Sequence, residues 1–148
     1  MKNLLEFPEH LQSLTENDWN KLFEINEQIK NTRSFGEMSG GEIIEENVHA
    51  MPFWEWSEIT SAFVKTLNDL QLIISFDWGK WPEGKTILNN PSQLYDELDT
   101  VTLCQLLTAI VRSDRFADGV LIGELENGTI SKIVDAIEKN RTTLKTEL

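Results

Sequence analysis

The chain is poor in the residues that build disulfides, metal sites and membrane spans. It has one cysteine, Cys104, so no disulfide can close within it, and a reducing compartment is indicated. Cys104 borders an apolar helical face with no basic residue beside it, so it reads as a small buried filler. The two histidines, His10 and His49, stand alone. They support neither a zinc site nor a Ser-His-Asp arrangement, and both read as surface residues. The densest apolar stretch, Leu70-Gln-Leu-Ile-Ile-Ser-Phe76, is far short of the ~20 residues that cross a bilayer. The first residues, Met1-Lys-Asn-Leu-Leu-Glu-Phe-Pro, hold only a two-residue apolar run before an acid, unlike a secretory signal. A cytoplasmic protein with no membrane partner is expected.

Positive charge is scarce too. There are 13 Lys and Arg against 25 Asp and Glu, a net charge of -12. Residues 1–50 carry 10 acids and 4 bases, residues 51–100 carry 8 and 3, and residues 101–148 carry 7 and 6. Binding to phosphate backbones needs Lys and Arg to displace counterions, so the acidic first two thirds argue against general nucleic-acid binding. Net acidity also keeps a small protein soluble.

The 148 residues are 40% apolar and 26% charged, an ordinary globular composition. They fit one domain, 1–148, able to bury roughly 68–70% of its unfolded surface. Thr15 looks like an N-cap, with Trp19, Leu22, Phe23 and Ile29 on one helical face and Asn26 interrupting it. Residues 31–54 are irregular and glycine-rich at 34–41, a loop or short hairpin. Its glycines precede acids rather than a basic helix start, unlike a phosphate-cradling loop.

Pro52-Phe-Trp-Glu-Trp56 is expected to enter a second helix, with Ile59, Phe63, Leu67 and Leu70 as its stripe. Leu72–Phe76 extends that helix or forms a short strand. Residues 77–84 read as a loop, and Pro91 as the first residue of a short helix. Asp99 or Thr100 caps the clearest helix, with Leu103, Leu106, Leu107, Ile110 and Val111 on one face. A short helix around Val120–Leu125 follows, then one capped by Thr129. The polar tail 141–148 is expected to fray. The fold predicted is mainly α: a single compact domain of four to six helices, with an irregular aromatic-rich loop region and room for one short strand or hairpin.

The densest chemistry lies in Arg112-Ser-Asp-Arg-Phe-Ala-Asp-Gly119, two arginines and two aspartates where an apolar stripe ends. If this segment is helical, Arg115 and Asp118 can pair at i, i+3. Asp77 is a candidate partner for Arg112. One reading is a salt-bridge and capping network that fastens the Phe76–Trp81 loop to the preceding helix. The other is a ligand pocket in which Arg112 and Arg115 grip an anion between the walls of Trp78 and Trp81, with Asp77, Asp114 and Asp118 nearby. A catalytic version would use an aspartate as base or metal ligand. No known metal or hydrolase pattern is present, and no cofactor is expected. Phe53, Trp54 and Trp56 form a candidate partner surface. At alternate positions, Trp54 and Trp56 cannot both face the core of one helix.

Phe76-Asp-Trp-Gly-Lys-Trp81, then Leu106-Leu-Thr-Ala-Ile-Val-Arg-Ser-Asp-Arg-Phe-Ala-Asp-Gly119 and Glu126-Asn-Gly-Thr-Ile130, resemble a bacterial family of small proteins classed as a domain of unknown function. The resemblance spans roughly residues 50–138. It implies a bacterial cytoplasmic protein and no particular activity. Where the family tends to carry glutamate before the glycine, this chain has Asp118.

The sequence therefore favours a non-enzymatic binding or regulatory module, with an unknown protein or a small anionic ligand as partner and self-association left open. An enzyme acting on an anionic small molecule or nucleotide is the alternative. A third reading, an acidic decoy of a DNA-binding protein, needs carboxylates spaced like phosphates along one face.

Overall fold

A computed structural model describes residues 1–40, 43–45, 48–49 and 52–147, with side chains for 1–40 and 52–141. Among these residues the fold is mainly α, as expected, with seven α-helices rather than four to six. They are α1 (Phe7–Ser13), α2 (Glu16–Lys30), α3 (Glu58–Asp69), α4 (Pro82–Leu88), α5 (Thr100–Ser113), α6 (Val120–Glu126) and α7 (Thr129–Glu147). Four short strands lie between α2 and α3: β1 (Gly36–Ser39), β2 (Ile43–Glu45), β3 (Val48–His49) and β4 (Phe53–Trp56). β1 pairs antiparallel with β4, and β2 with β3, so the chain leaves and re-enters the helical body along a ribbon.

The helix starts follow local chemistry. Thr15 and Asp18 form a reciprocal capping box on α2. Ser57 caps α3 and Asp99 caps α5 through the amide of Thr102, 2.7 Å away. The apolar stripes then meet in one core. Trp19, Leu22 and Ile29 of α2, Phe63 and Leu67 of α3, Leu103 to Ile110 of α5, and Ile130 to Ile137 of α7 supply its buried side chains. Each large aliphatic side chain buried this way contributes about 1.5–3 kcal/mol. Asn26, the polar break in the α2 stripe, is buried, and its amide donates to Asp135 Oδ1 at 2.9 Å.

Several boundaries differ from expectation. Pro52–Trp56 does not enter a helix: four of these residues are β4, and α3 begins only at Glu58. Aromatic side chains favour a pleated strand, and the cap at Ser57 sets the helix start. Pro82, not Pro91, opens a helix, so most of the expected 77–84 loop is a 3-10 turn followed by the start of α4. Gly128 (φ 85°) accepts the first α7 hydrogen bond from Lys132, so Thr129 is the first helical residue rather than the cap. Backbone helix continues to Glu147, through the polar tail. The glycine-rich stretch becomes β1 up to Ser39, while Gly41, Glu42 and Glu46 lie outside the described residues.

Leu72–Phe76 extends neither helix nor sheet. Gln71 turns at φ 53°, and Leu72, Ile73 and Ile74 are then buried across α5. Thr108 holds this segment: its hydroxyl accepts from the Ile74 amide at 3.0 Å and donates to the Cys104 carbonyl at 2.8 Å. Ser75 then bridges to Asn3 in parallel. This buried strap delivers Phe76, Asp77 and Trp78 to the end of α5.

Candidate functional site

α5 ends at Ser113, so most of the Arg112–Gly119 motif is a turn rather than helix. Phe116 and Ala117 amides both bond to the Ser113 carbonyl, and Gly119 reverses the chain at φ 94°. The helical i, i+3 spacing no longer holds, and the expected Arg115–Asp118 pair does not form. The aspartates serve backbone amides instead. Asp114 Oδ1 accepts from Leu121 N at 3.0 Å, satisfying an open donor in the first turn of α6. Asp118 Oδ2 accepts from Trp54 N at 2.8 Å, tying the motif to β4. Asp77 is exposed and does not reach Arg112. None of the ion pairs seen among the described residues joins Arg112 or Arg115 to Asp77, Asp114 or Asp118, so the predicted salt-bridge fastening of the Phe76–Trp81 loop does not form; the two aspartates Asp114 and Asp118 fasten α6 and β4 instead.

The arginines are correspondingly free of carboxylates. The half-buried Arg112 donates from Nη2 to the Met1 thioether at 3.2 Å. Sulfur is a weak acceptor, far from the bidentate carboxylate a guanidinium prefers. Arg115 is exposed. Both line an open groove of about 330 Å³ with Ile74, Phe76, Trp78 and Phe116. Phe116 is 82% exposed and sits against Trp78, ring centroids 5.9 Å apart.

Trp78 is also a wall of a second, more apolar recess of about 240 Å³ between α4, α5 and α6. Trp81, Leu88, Ile110 and Val120 form its other apolar walls, with Lys85 and Glu124 beside them. Trp81 is fixed by an edge-on contact to Phe76 (5.3 Å, 85°) and by lying directly on Gly84, where a side chain would collide with its ring. Of the predicted pocket residues, then, Arg112, Arg115 and Trp78 share one groove and Trp78 and Trp81 share another. Asp77, Asp114 and Asp118 line neither. Lys85, Glu124, Met1 and Phe116 were not among the predicted site residues. Only Val120 and Glu124, four apart on α6, carried a signal that they share a helix face.

The aromatic ribbon is a separate surface. Strand periodicity places Trp54 and Trp56 on the same face, which reasoning from helical spacing missed; their cross-strand partners are Met38 and Gly36. Trp54 is half-buried over Gly119, whereas Met38, Phe53 and Trp56 are exposed.

Cys104 is fully buried, and desolvation pushes its thiol well above the ordinary value, leaving it unreactive. His10 is not a plain surface residue: its Nε2 donates to the Leu70 carbonyl at 2.8 Å and pins α1 to the end of α3. The His49 side chain lies outside the described residues. Among the described residues, no group of three His, Cys, Asp or Glu could hold a metal, and no helix is long and apolar enough to cross a membrane.

No curated protein and no solved structure is significantly similar to the chain. Residues 14–143 match a family of unknown function, DUF6508, and the chain belongs to it. The match reaches well into the first fifty residues, beyond the span carried by the tryptophan and arginine motifs.

Proposed function

We propose that this DUF6508 member is a cytoplasmic, non-enzymatic binding module that holds a small anionic ligand between Arg112, Arg115 and Trp78. One observation carries the reading: two guanidinium groups without carboxylate partners line the same aromatic-walled groove. Such a pair can take a carboxylate or phosphate through several charge-assisted hydrogen bonds, with Trp78 and Phe116 offering stacking faces. The enzyme alternative has less support, because Asp114 and Asp118 are bonded to backbone amides and line neither recess. The exposed Trp56, with Met38 on the same face of the ribbon, favours a second role for the ribbon as a surface for a protein partner; Phe53, also exposed, lies on the opposite face.

The test is a thermal-shift and calorimetric screen with phosphate, citrate and nucleotides on wild type, Arg112→Ala and Arg115→Ala. At least one anion should raise Tm in the wild type and lose most of that effect in both variants. The unliganded Arg115→Ala protein should stay within about 0.5 kcal/mol of wild type, as exposed substitutions do. Anion stabilisation that survives both substitutions, or none at all in the wild type, would refute the reading.

A further inference from the structure

The geometry points to a second ligand site, distinct from the arginine groove: the recess between Trp78, Trp81 and Val120 takes a small zwitterion with an aromatic body, of the chemical class of an aromatic amino acid.

Three observations carry this. The first is size. The recess measures about 240 Å³, and a dry cavity of about 150 Å³ is enough to admit benzene. An aromatic ring with a short tether therefore fits. The second is wall chemistry. Two tryptophans with Leu88, Ile110 and Val120 present a mostly apolar lining, which favours a ring over a sugar or phosphate.

The third is charge. The cation lining the recess is Lys85 on α4, and the anion is Glu124 on α6. Neither forms an ion pair among the described residues, although they belong to the same recess. Two opposite charges left unpaired beside one apolar recess complement a head group that also carries both signs. Its carboxylate would meet Lys85 and its ammonium Glu124, while the ring enters between the tryptophans. A purely cationic ligand would face Lys85 uncompensated, and a purely anionic one Glu124.

The Trp81 wall is also pre-set. Trp81 is held by Phe76 and by close contact with Gly84. A wall fixed before binding loses less side-chain entropy when the ligand is taken up.

The experiment uses three probes that share a phenyl ring. L-phenylalanine carries both charges, 3-phenylpropionate lacks the ammonium, and 2-phenylethylamine lacks the carboxylate. Binding is followed by tryptophan emission, excited where none of the probes absorbs, and by amide shifts of Gly79 and Gly84 in a heteronuclear spectrum. Phenylalanine should bind roughly threefold to fivefold tighter than either analogue, the scale of one exposed charge contact. Lys85→Gln should weaken phenylalanine and 3-phenylpropionate but not the amine. Glu124→Gln should weaken phenylalanine and the amine but not the acid. Arg115→Ala should leave all three unchanged, which separates this site from the arginine groove.

The proposal is overturned if no probe moves the emission or the glycine amides. It is also overturned if either singly charged analogue matches phenylalanine, since that makes the site a cation, anion or purely apolar one. Loss of phenylalanine binding in Arg115→Ala would place the probe in the groove and sink it equally.

Discussion

Substituting alanine at three glycines near α6 should give three different results, and the spread measures how tightly the ribbon is fastened to the helical body. Gly123 lies inside α6 with open space where a Cβ would go. Alanine there should stabilise the protein by about 0.5–1 kcal/mol through helix propensity. Gly128 has φ 85° and also faces open space, so alanine adds backbone strain alone, about 1–2 kcal/mol. Gly119 has φ 94°, and a Cβ would stand 2.6 Å from Trp54 Nε1 and 2.7 Å from Trp54 Cδ1. Strain is then joined by an overpacking cost of about 1–3 kcal/mol, so Gly119→Ala should lose about 2–5 kcal/mol in all.

Urea unfolding provides the assay, with the slope checked for constancy so that midpoint changes report stability. A double-mutant cycle with Trp54→Ala isolates the contact. In that background the excess cost of Gly119→Ala over Gly128→Ala should largely vanish. Equal costs at 119 and 128, or no coupling to Trp54, would show that the indole does not hold the ribbon down.

Two further outcomes follow from single side chains. Thr108→Val keeps the shape but leaves the buried Ile74 amide without its acceptor, so it should cost about 1–3 kcal/mol in urea unfolding and speed hydrogen exchange at Ile74; unchanged exchange would refute the anchoring role. Asp18 accepts the Thr15 amide, and that bond holds its carboxyl below the ordinary value of 3.8. Because the folded value is the lower one, its stabilising contribution is complete above 3.8 and is lost as pH falls from there through the folded value. A carboxyl titration by NMR should show the lowered midpoint, and Asp18→Asn should abolish this part of the acid sensitivity.

The helices of the core were legible because each pairs an amphipathic stripe with a capping residue, as Asp99 and Leu103–Ile110 do for α5. Where one of the two signals is missing, the sequence misleads. α4 has a proline start but no long stripe, so its first residues carry only the breakers of a loop. β4 lies just before a strong helix, and its aromatics blend into that helix's pattern. The site was legible as a neighbourhood but not as a set of pairings. Whether Arg115 meets Asp118 depends on where α5 stops, and the stop is set by hydrogen bonds to the Ser113 carbonyl that no periodicity encodes. The recess beside Trp81 was legible in two of its walls only. Its charged side chains come from α4 and α6, which are distant in sequence and are brought together by packing on α5.

In a chain with 25 acids, an arginine that meets no carboxylate needs a local cause. That cause is the end of α5. The turn that follows leaves the amide of Leu121 open at the start of α6, and the arriving ribbon presents the amide of Trp54. A carboxylate accepting from a fixed amide gains a charge-assisted hydrogen bond and leaves its own backbone in place. Reaching an arginine would instead require ordering a long, flexible side chain for a surface pair worth about 0–1 kcal/mol. Asp114 and Asp118 therefore go to the backbone, and Arg112 is left with a thioether. The sequence presented fastening and ligand site as alternatives for one charged motif. The structure separates the motif's charges by sign: the aspartates stitch α6 and the ribbon to the end of α5, and both arginines are left lining the groove beside Trp78.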